Sequence, residues 1–132
     1  MLLDEIGAYL DTNVAALTLG TNLFLSRMLE TPDVAVGLYN STAAPPTYYM
    51  GGDGNPDLES PRLQVLVRHT SYSAGQSMAY DIFTELNQIV GSTLTGTHYL
   101  RVAAVDSPTF LERDRNDRPI FTANYDVLKE LS

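Results

Sequence analysis

Apolar and polar positions alternate with two distinct periods along this chain. From Leu63 to Arg68, Leu63, Val65 and Val67 fall on one side and Gln64, Leu66 and Arg68 on the other, the period of a half-buried strand. Residues 99–105 set Leu100, Val102 and Ala104 against Tyr99, Arg101 and Ala103. Residues 119–128 set Phe121, Ala123, Tyr125 and Val127 against Ile120, Thr122, Asn124 and Asp126. Between the first two of these strands the period changes to that of a helix. Ala79, Ile82, Phe83, Leu86, Ile89 and Val90 form a broad apolar stripe over 73–91. Ser73 and Gln76 have the spacing of a capping box, and Gly91 suits a left-handed C-cap.

The first forty residues carry weaker signals. Leu2, Leu3, Ile6, Tyr9 and Leu10 predict a helix over about 2–11, with Asp4 and Glu5 favouring the dipole of its first turn. LFLSRML (23–29) and VAVGLYN (34–40) predict two strands, and Thr31-Pro32-Asp33 between them is a turn signal, so 23–40 reads as a hairpin. Residues 41–61 hold four prolines and three glycines, which argues against regular structure. Tyr48, Tyr49 and Met50 stand in the middle of that segment and are costly to leave in water. It reads as an arm that docks on a neighbour, with docking back on its own domain as the alternative.

The expectation is one domain over 1–132, of α+β class. A mostly antiparallel sheet of four to five strands is packed by an N-terminal helix and a central capped helix, with a long loop arm at 41–61.

Composition narrows the function. With 44% hydrophobic residues the chain of 132 residues can bury a core unaided. It has no cysteine, which removes disulfides, thiolate zinc sites and cysteine nucleophiles together. The start, MLLDEIGAYLD, lacks the basic region of a secretory signal, and no apolar run approaches the ~20 residues of a membrane span. A soluble protein with no membrane contact is expected.

The net charge of −8 is lopsided. Residues 1–61 carry eight acids against Arg27 alone, while 62–132 carry eight acids against seven bases. Such a surplus repels phosphate backbones and disfavours stable nucleic-acid binding.

Candidate chemistry is thin. His69 and His98 both flank predicted strands and could meet, but two ordinary strand-end histidines are the simpler reading. Asp53, Asn55, Asp57 and Glu59 imitate the start of a calcium loop, yet Leu58 and Gln64 stand where glycine and glutamate are needed. Gly51-Gly52-Asp53-Gly54 lacks the lysine of a phosphate loop. No catalytic, metal or cofactor site is expected, and an assembly protein is favoured over a small hydrolase or ligand-binding enzyme. The long polar connection SPTFLERDRNDR (107–118) is the remaining candidate. Its run Glu112 to Arg118 is either a solvated hairpin tip, turning at Asn116-Asp117, or a contact surface on which Arg113, Asp114, Arg115 and Arg118 set register with a partner.

Taken in order, PRLQVLVR (61–68), Tyr72, AYDIFTEL (79–86), YLRVAAVDSP (99–108), DRNDR (114–118) and FTANYDV (121–127) resemble the tail terminator and minor capsid proteins of long-tailed bacteriophages. The resemblance covers roughly 60–128 and extends over the first sixty residues by topology only. It implies a structural virion protein of the tail or neck, assembled in the host cytoplasm as a homo-oligomeric, hexameric ring. Such a ring caps the tail-tube protein and meets the head–tail connector or stopper protein, and the acidic surplus would give it a lumen that DNA passes without specific binding. Other head-completion or tail-tube proteins are the alternative within that class. The family's hairpin usually turns on a glycine, where this chain has Asn116-Asp117.

Overall fold

The computed structural model describes residues 2–47 and 58–130, with side chains described outside 41–47. In chain order the elements are α1 (Leu2–Asn13), β1 (Leu23–Leu25), β2 (Ala35–Thr47), β3 (Leu58–Arg68), α2 (Tyr72–Leu86), β4 (Val90–Leu94), β5 (Thr97–Ala104), β6 (Thr109–Arg113) and β7 (Pro119–Glu130). The strands form one sheet of seven, ordered β1-β2-β3-β7-β5-β4, with β6 also paired to β7. The α+β class stands. The sheet has more strands than the four or five expected, and it is mixed, because β1 runs parallel to β2.

That parallel pair replaces the expected hairpin over 23–40. The chain leaves β1 at Ser26 and returns through 27–34 to start β2 alongside β1. The proline turn signal was real, but it belongs to this crossover loop. Two arginines hold the loop down. Arg68, 3% exposed, donates to the carbonyls of Leu29 (2.6 Å), Pro32 (2.6 Å) and Asp33 (3.1 Å). Arg118 holds Glu30 and Asp33, as described below.

The segment 41–61 is also more regular than its prolines suggested. β2 continues to Thr47 and β3 resumes at Leu58, with Ser41 opposite Arg62, Ala44 opposite Ser60 and Thr47 opposite Leu58. Each step takes one residue more on β2 than on β3, so two bulges accommodate the prolines. The expected loop is therefore the stalk of a hairpin. Its tip, with Tyr48, Tyr49 and Met50, lies outside the described residues, as do Gly51–Gly54, Asn55 and Asp57 of the imitation phosphate and calcium loops.

Both helices pack on one face of the sheet. Leu2, Ile6 and Leu10 of α1 and Ala79, Ile82 and Leu86 of α2 meet Val36 and Leu38, Leu63, Val65 and Val67, and Phe121, Ala123, Tyr125 and Val127 from β2, β3 and β7. The alternation of β3 and β7 thus falls as the sequence predicts. In β5 it does not, because Tyr99 pairs with Lys129 and Arg101 with Leu128, leaving Leu100 in a bulge. The bulge turns both Tyr99 and Val102 into the core.

The helix α2 begins and ends differently from expectation. Ser71, not Ser73, is the N-cap, and its hydroxyl accepts from the Ala74 amide at 3.4 Å. The helix stops at Asn87, whose side-chain oxygen accepts from the Ala104 amide at 3.1 Å. Gly91 has a positive φ of 60° but sits in β4. β4 and β6 had no counterpart in the sequence reading. β5 and β6 together act as one interrupted strand running along β7: Ala104 faces Tyr125 and Thr109 faces Thr122, with Asp106 bridging the break by accepting from the Asn124 amide.

Candidate interaction surface

Three features of the described residues stand out, one at each end of β7 and one on its hairpin. At the Pro119 end an aromatic patch forms across β6, β7 and the start of α2. Phe121 is buried and faces α2, where Gly75 lets the helix approach: a Cβ there would lie 2.8 Å from the Phe121 ring. Tyr72 and Phe110 pack on Phe121 with ring centroids 5.1 and 5.8 Å away, and on each other at 5.4 Å. These two outer rings remain 44% and 42% exposed. All five residues of β6 are exposed, and Leu111, the residue bulged between Phe110 and Glu112, is 52% exposed. Among the described residues, β6 pairs only with β7 and β4 only with β5, so each presents an unpaired edge.

The second feature is the 113–119 hairpin. The Asp117 amide donates to the Asp114 carbonyl and the Asp114 amide to the Arg118 carbonyl, closing a three-residue loop of Arg115, Asn116 and Asp117. Asp117 takes the left-handed position at φ 60°, the place where glycine is otherwise favoured. The Asp114 carboxylate accepts from the Asn116 and Arg118 amides at 3.0 and 2.9 Å, an Asx-type brace for the turn. Arg118 then gathers three acids. It donates to Asp114 (2.8 Å), Glu30 (2.9 Å) and Asp33 (3.1 Å), and to the Glu30 carbonyl (2.8 Å). Burial works against the Asp114 carboxylate, but the Arg118 and Asn116 donors and the guanidinium charge outweigh it and hold its pKa below the usual range.

This geometry divides the residues that sequence had grouped. Arg115 projects into solvent, and Arg113 is exposed with its guanidinium beside Asp117 at 3.7 Å. Asp114 and Arg118 are turned inward; Arg118 is only 5% exposed, so it positions the hairpin against the 29–33 loop and is not an open contact. Sequence reasoning could not separate them, because the acids that claim Arg118 lie up to 88 positions away.

The third feature lies at the Glu130 end of β7, beneath the β2–β3 stalk. Glu5, 5% exposed, accepts from Thr97 Oγ1 and from the Tyr99 hydroxyl at 2.8 Å. Lys129, on the buried face of β7, pairs with Glu59 and lies 5.8 Å from the Tyr99 ring centre. Burial first, and the Glu5 hydrogen bond next, push the Tyr99 phenol far above its ordinary pKa. Glu5, read from sequence as a partner of the helix dipole, is thus a buried strut that ties α1 to the start of β5.

The two histidines do not meet. His69 follows β3 at the Pro119 end of β7, and His98 precedes the Tyr99–Lys129 pair at the other end. His69 Nδ1 accepts from the Thr70 amide at 2.9 Å. Among the described residues no three His, Asp or Glu side chains cluster as a metal site, and no helix is long and apolar enough to cross a membrane.

No curated protein matches the sequence. A chain from a solved structure of the virion of a native gene transfer agent particle aligns over 98% of this chain and 95% of its own length, with a TM-score of 0.65 at 14% identity. A second solved chain aligns over 96% of each, with a TM-score of 0.54 at 18% identity. At those identities the likeness is one of fold. The family model described as bacteriophage tail terminator protein matches residues 9–131. The chain therefore belongs to the bacteriophage tail terminator family, and it is a structural protein of the phage virion.

Proposed function

We propose that copies of this chain close into a ring, hexameric in the simplest case, that caps the finished tail tube and offers its other face to the head connector. Family membership over 9–131 supports the terminating role. The observation that carries the ring is the β6 edge: five consecutive exposed residues, including Phe110 and Leu111, on a strand paired along one side only. An edge of that kind calls for a partner, and cyclic closure satisfies it while stopping further growth. The work is geometric, the matching of one surface to the last tube ring and another to the connector. Assembly takes place in the host cytoplasm before the ring enters the neck of the virion.

Tyr48, Tyr49 and Met50 at the hairpin tip, and Arg113 and Arg115 at the charged turn, are the proposed contact residues. Asp114 and Arg118 hold that turn in shape. The acidic surplus of residues 1–61 suits a lumen that DNA passes without adhering, and a basic or neutral inner wall would refute that assignment.

The test is tail assembly in an extract that lacks this protein. Tubes should overgrow and fail to join heads, and adding the purified chain should restore a single tube length and infectious particles. Arg113→Glu with Arg115→Glu should reduce head joining. Unchanged tube length and particle yield without the protein would overturn the proposal.

A further inference from the structure

The two ends of β7 carry features that complement each other but cannot meet within one subunit. At one end is the patch of Tyr72, Phe110 and Leu111, followed on the same hairpin by Arg113, which lies beside Asp117, and by the exposed Arg115. At the other is the root of the β2–β3 hairpin, whose tip sequence 48–57 holds Tyr48, Tyr49 and Met50, two acids, Asp53 and Asp57, and no base.

The separation follows from register. Leu58 pairs with Glu130, and Phe110 pairs with Phe121. The nine steps of β7 between those partners span about 30 Å, and the two strand spacings from β3 across β7 to β6 add about 10 Å sideways. The tip is anchored at both Thr47 and Leu58, so Tyr48 and Tyr49 lie at most about 4 and 7 Å of backbone from Thr47, and even the centre of the ten residues reaches only about 20 Å. A subunit's tip therefore cannot cover its own patch.

We propose that the 48–57 tip of one subunit docks on the Tyr72–Phe110 patch of the next copy, Tyr48, Tyr49 and Met50 against the aromatic rings and Asp53 or Asp57 beside Arg115. Two unlike surfaces at opposite ends of one sheet make a heterologous contact, the kind that a closed ring requires and a twofold dimer does not. The inference rests on the ring reading above and names the surfaces that form its joints.

The test replaces Tyr49 with the photoreactive amino acid p-benzoylphenylalanine and irradiates the assembled protein, made from a mixture of isotopically light and heavy subunits. Light–heavy adducts on peptides containing Tyr72 or residues 109–113 are expected. A parallel variant, Tyr49→Ser with Met50→Ser, should keep the thermal midpoint of the subunit and weaken association by about tenfold or more, since few aromatic anchors carry most of an interface. A discrete ring whose adducts all fall elsewhere overturns this contact and leaves the ring standing. A chain that remains monomeric at high concentration overturns both.

Discussion

Gly75→Ala sets two physical effects against each other, and the structure says which prevails. Gly75 is a buried position within α2, where alanine is favoured over glycine by about 1 kcal/mol on helix propensity alone. The added Cβ, however, would lie 2.8 Å from Phe121 Cε1 and 3.0 Å from His69 Cβ. Ordinary carbon contacts are about 3.5–4.0 Å, so the ring must retreat by about 0.7 Å or more. Phe121 has little room to do so, being 1% exposed and flanked by Tyr72 and Phe110. Overpacking of this kind costs about 1–3 kcal/mol. The net effect is a loss of about 1 kcal/mol, or about 4 °C in thermal midpoint for a domain of this size. Urea unfolding followed by circular dichroism measures it directly. Combining the change with Phe121→Leu should relieve the clash, so that the double variant loses less than the sum of the two single ones. A Gly75→Ala variant that is more stable by about 1 kcal/mol, with strict additivity in the pair, would refute the close approach of α2 to β7.

Other parts of the fold make equally direct predictions. Ser71→Ala should cost about 0.5–1 kcal/mol in urea unfolding, the low end for a cap given its 3.4 Å bond, while Ser73→Ala should cost nothing measurable. Because the folded Asp114 pKa is depressed, its contribution to stability is present above the unfolded value near 4 and is lost as pH falls through the lower folded value. Thermal midpoints measured from pH 5 to pH 2.5 should therefore fall less steeply in Asp114→Asn than in the parent. Arg118→Leu removes the one guanidinium that joins Glu30, Asp33 and Asp114, and amide exchange across 114–118 should quicken by about tenfold or more relative to the sheet core.

The sequence disclosed those elements whose apolar stripe faces a core of matching period. The alternation of β3 and β7 and the stripe of α2 were visible for that reason. Periodicity misplaced the end of α2, because Ile89 is buried after the chain has already left the helix at Asn87. It missed β4, whose residues 90–94 are exposed or half-exposed and so leave no alternation to read. It assigned a hairpin to 23–40 because a turn signal does not state whether the strands on either side run parallel, and here two buried arginines, Arg68 from β3 and Arg118 from the turn before β7, hold the crossover loop. The candidate surface was legible in composition but not in depth. The charged run 112–118 was found, yet its division into an exposed Arg115 and an enclosed Arg118 depends on Glu30 and Asp33, brought in from the loop between β1 and β2. The aromatic patch was missed because Tyr72, Phe110 and Phe121 come from three elements, and only the pairing of β6 with β7 and the gap at Gly75 bring them together.

The central claim is that this fold is completed by copies of itself. Light scattering of the purified chain, coupled to size exclusion and taken over a wide concentration range, tests it most directly. A single species whose mass is a fixed small multiple of the subunit, six in the simplest case and unchanged on dilution, is the predicted result. A subunit-sized particle at every concentration, or a polymer that lengthens without limit, would contradict it.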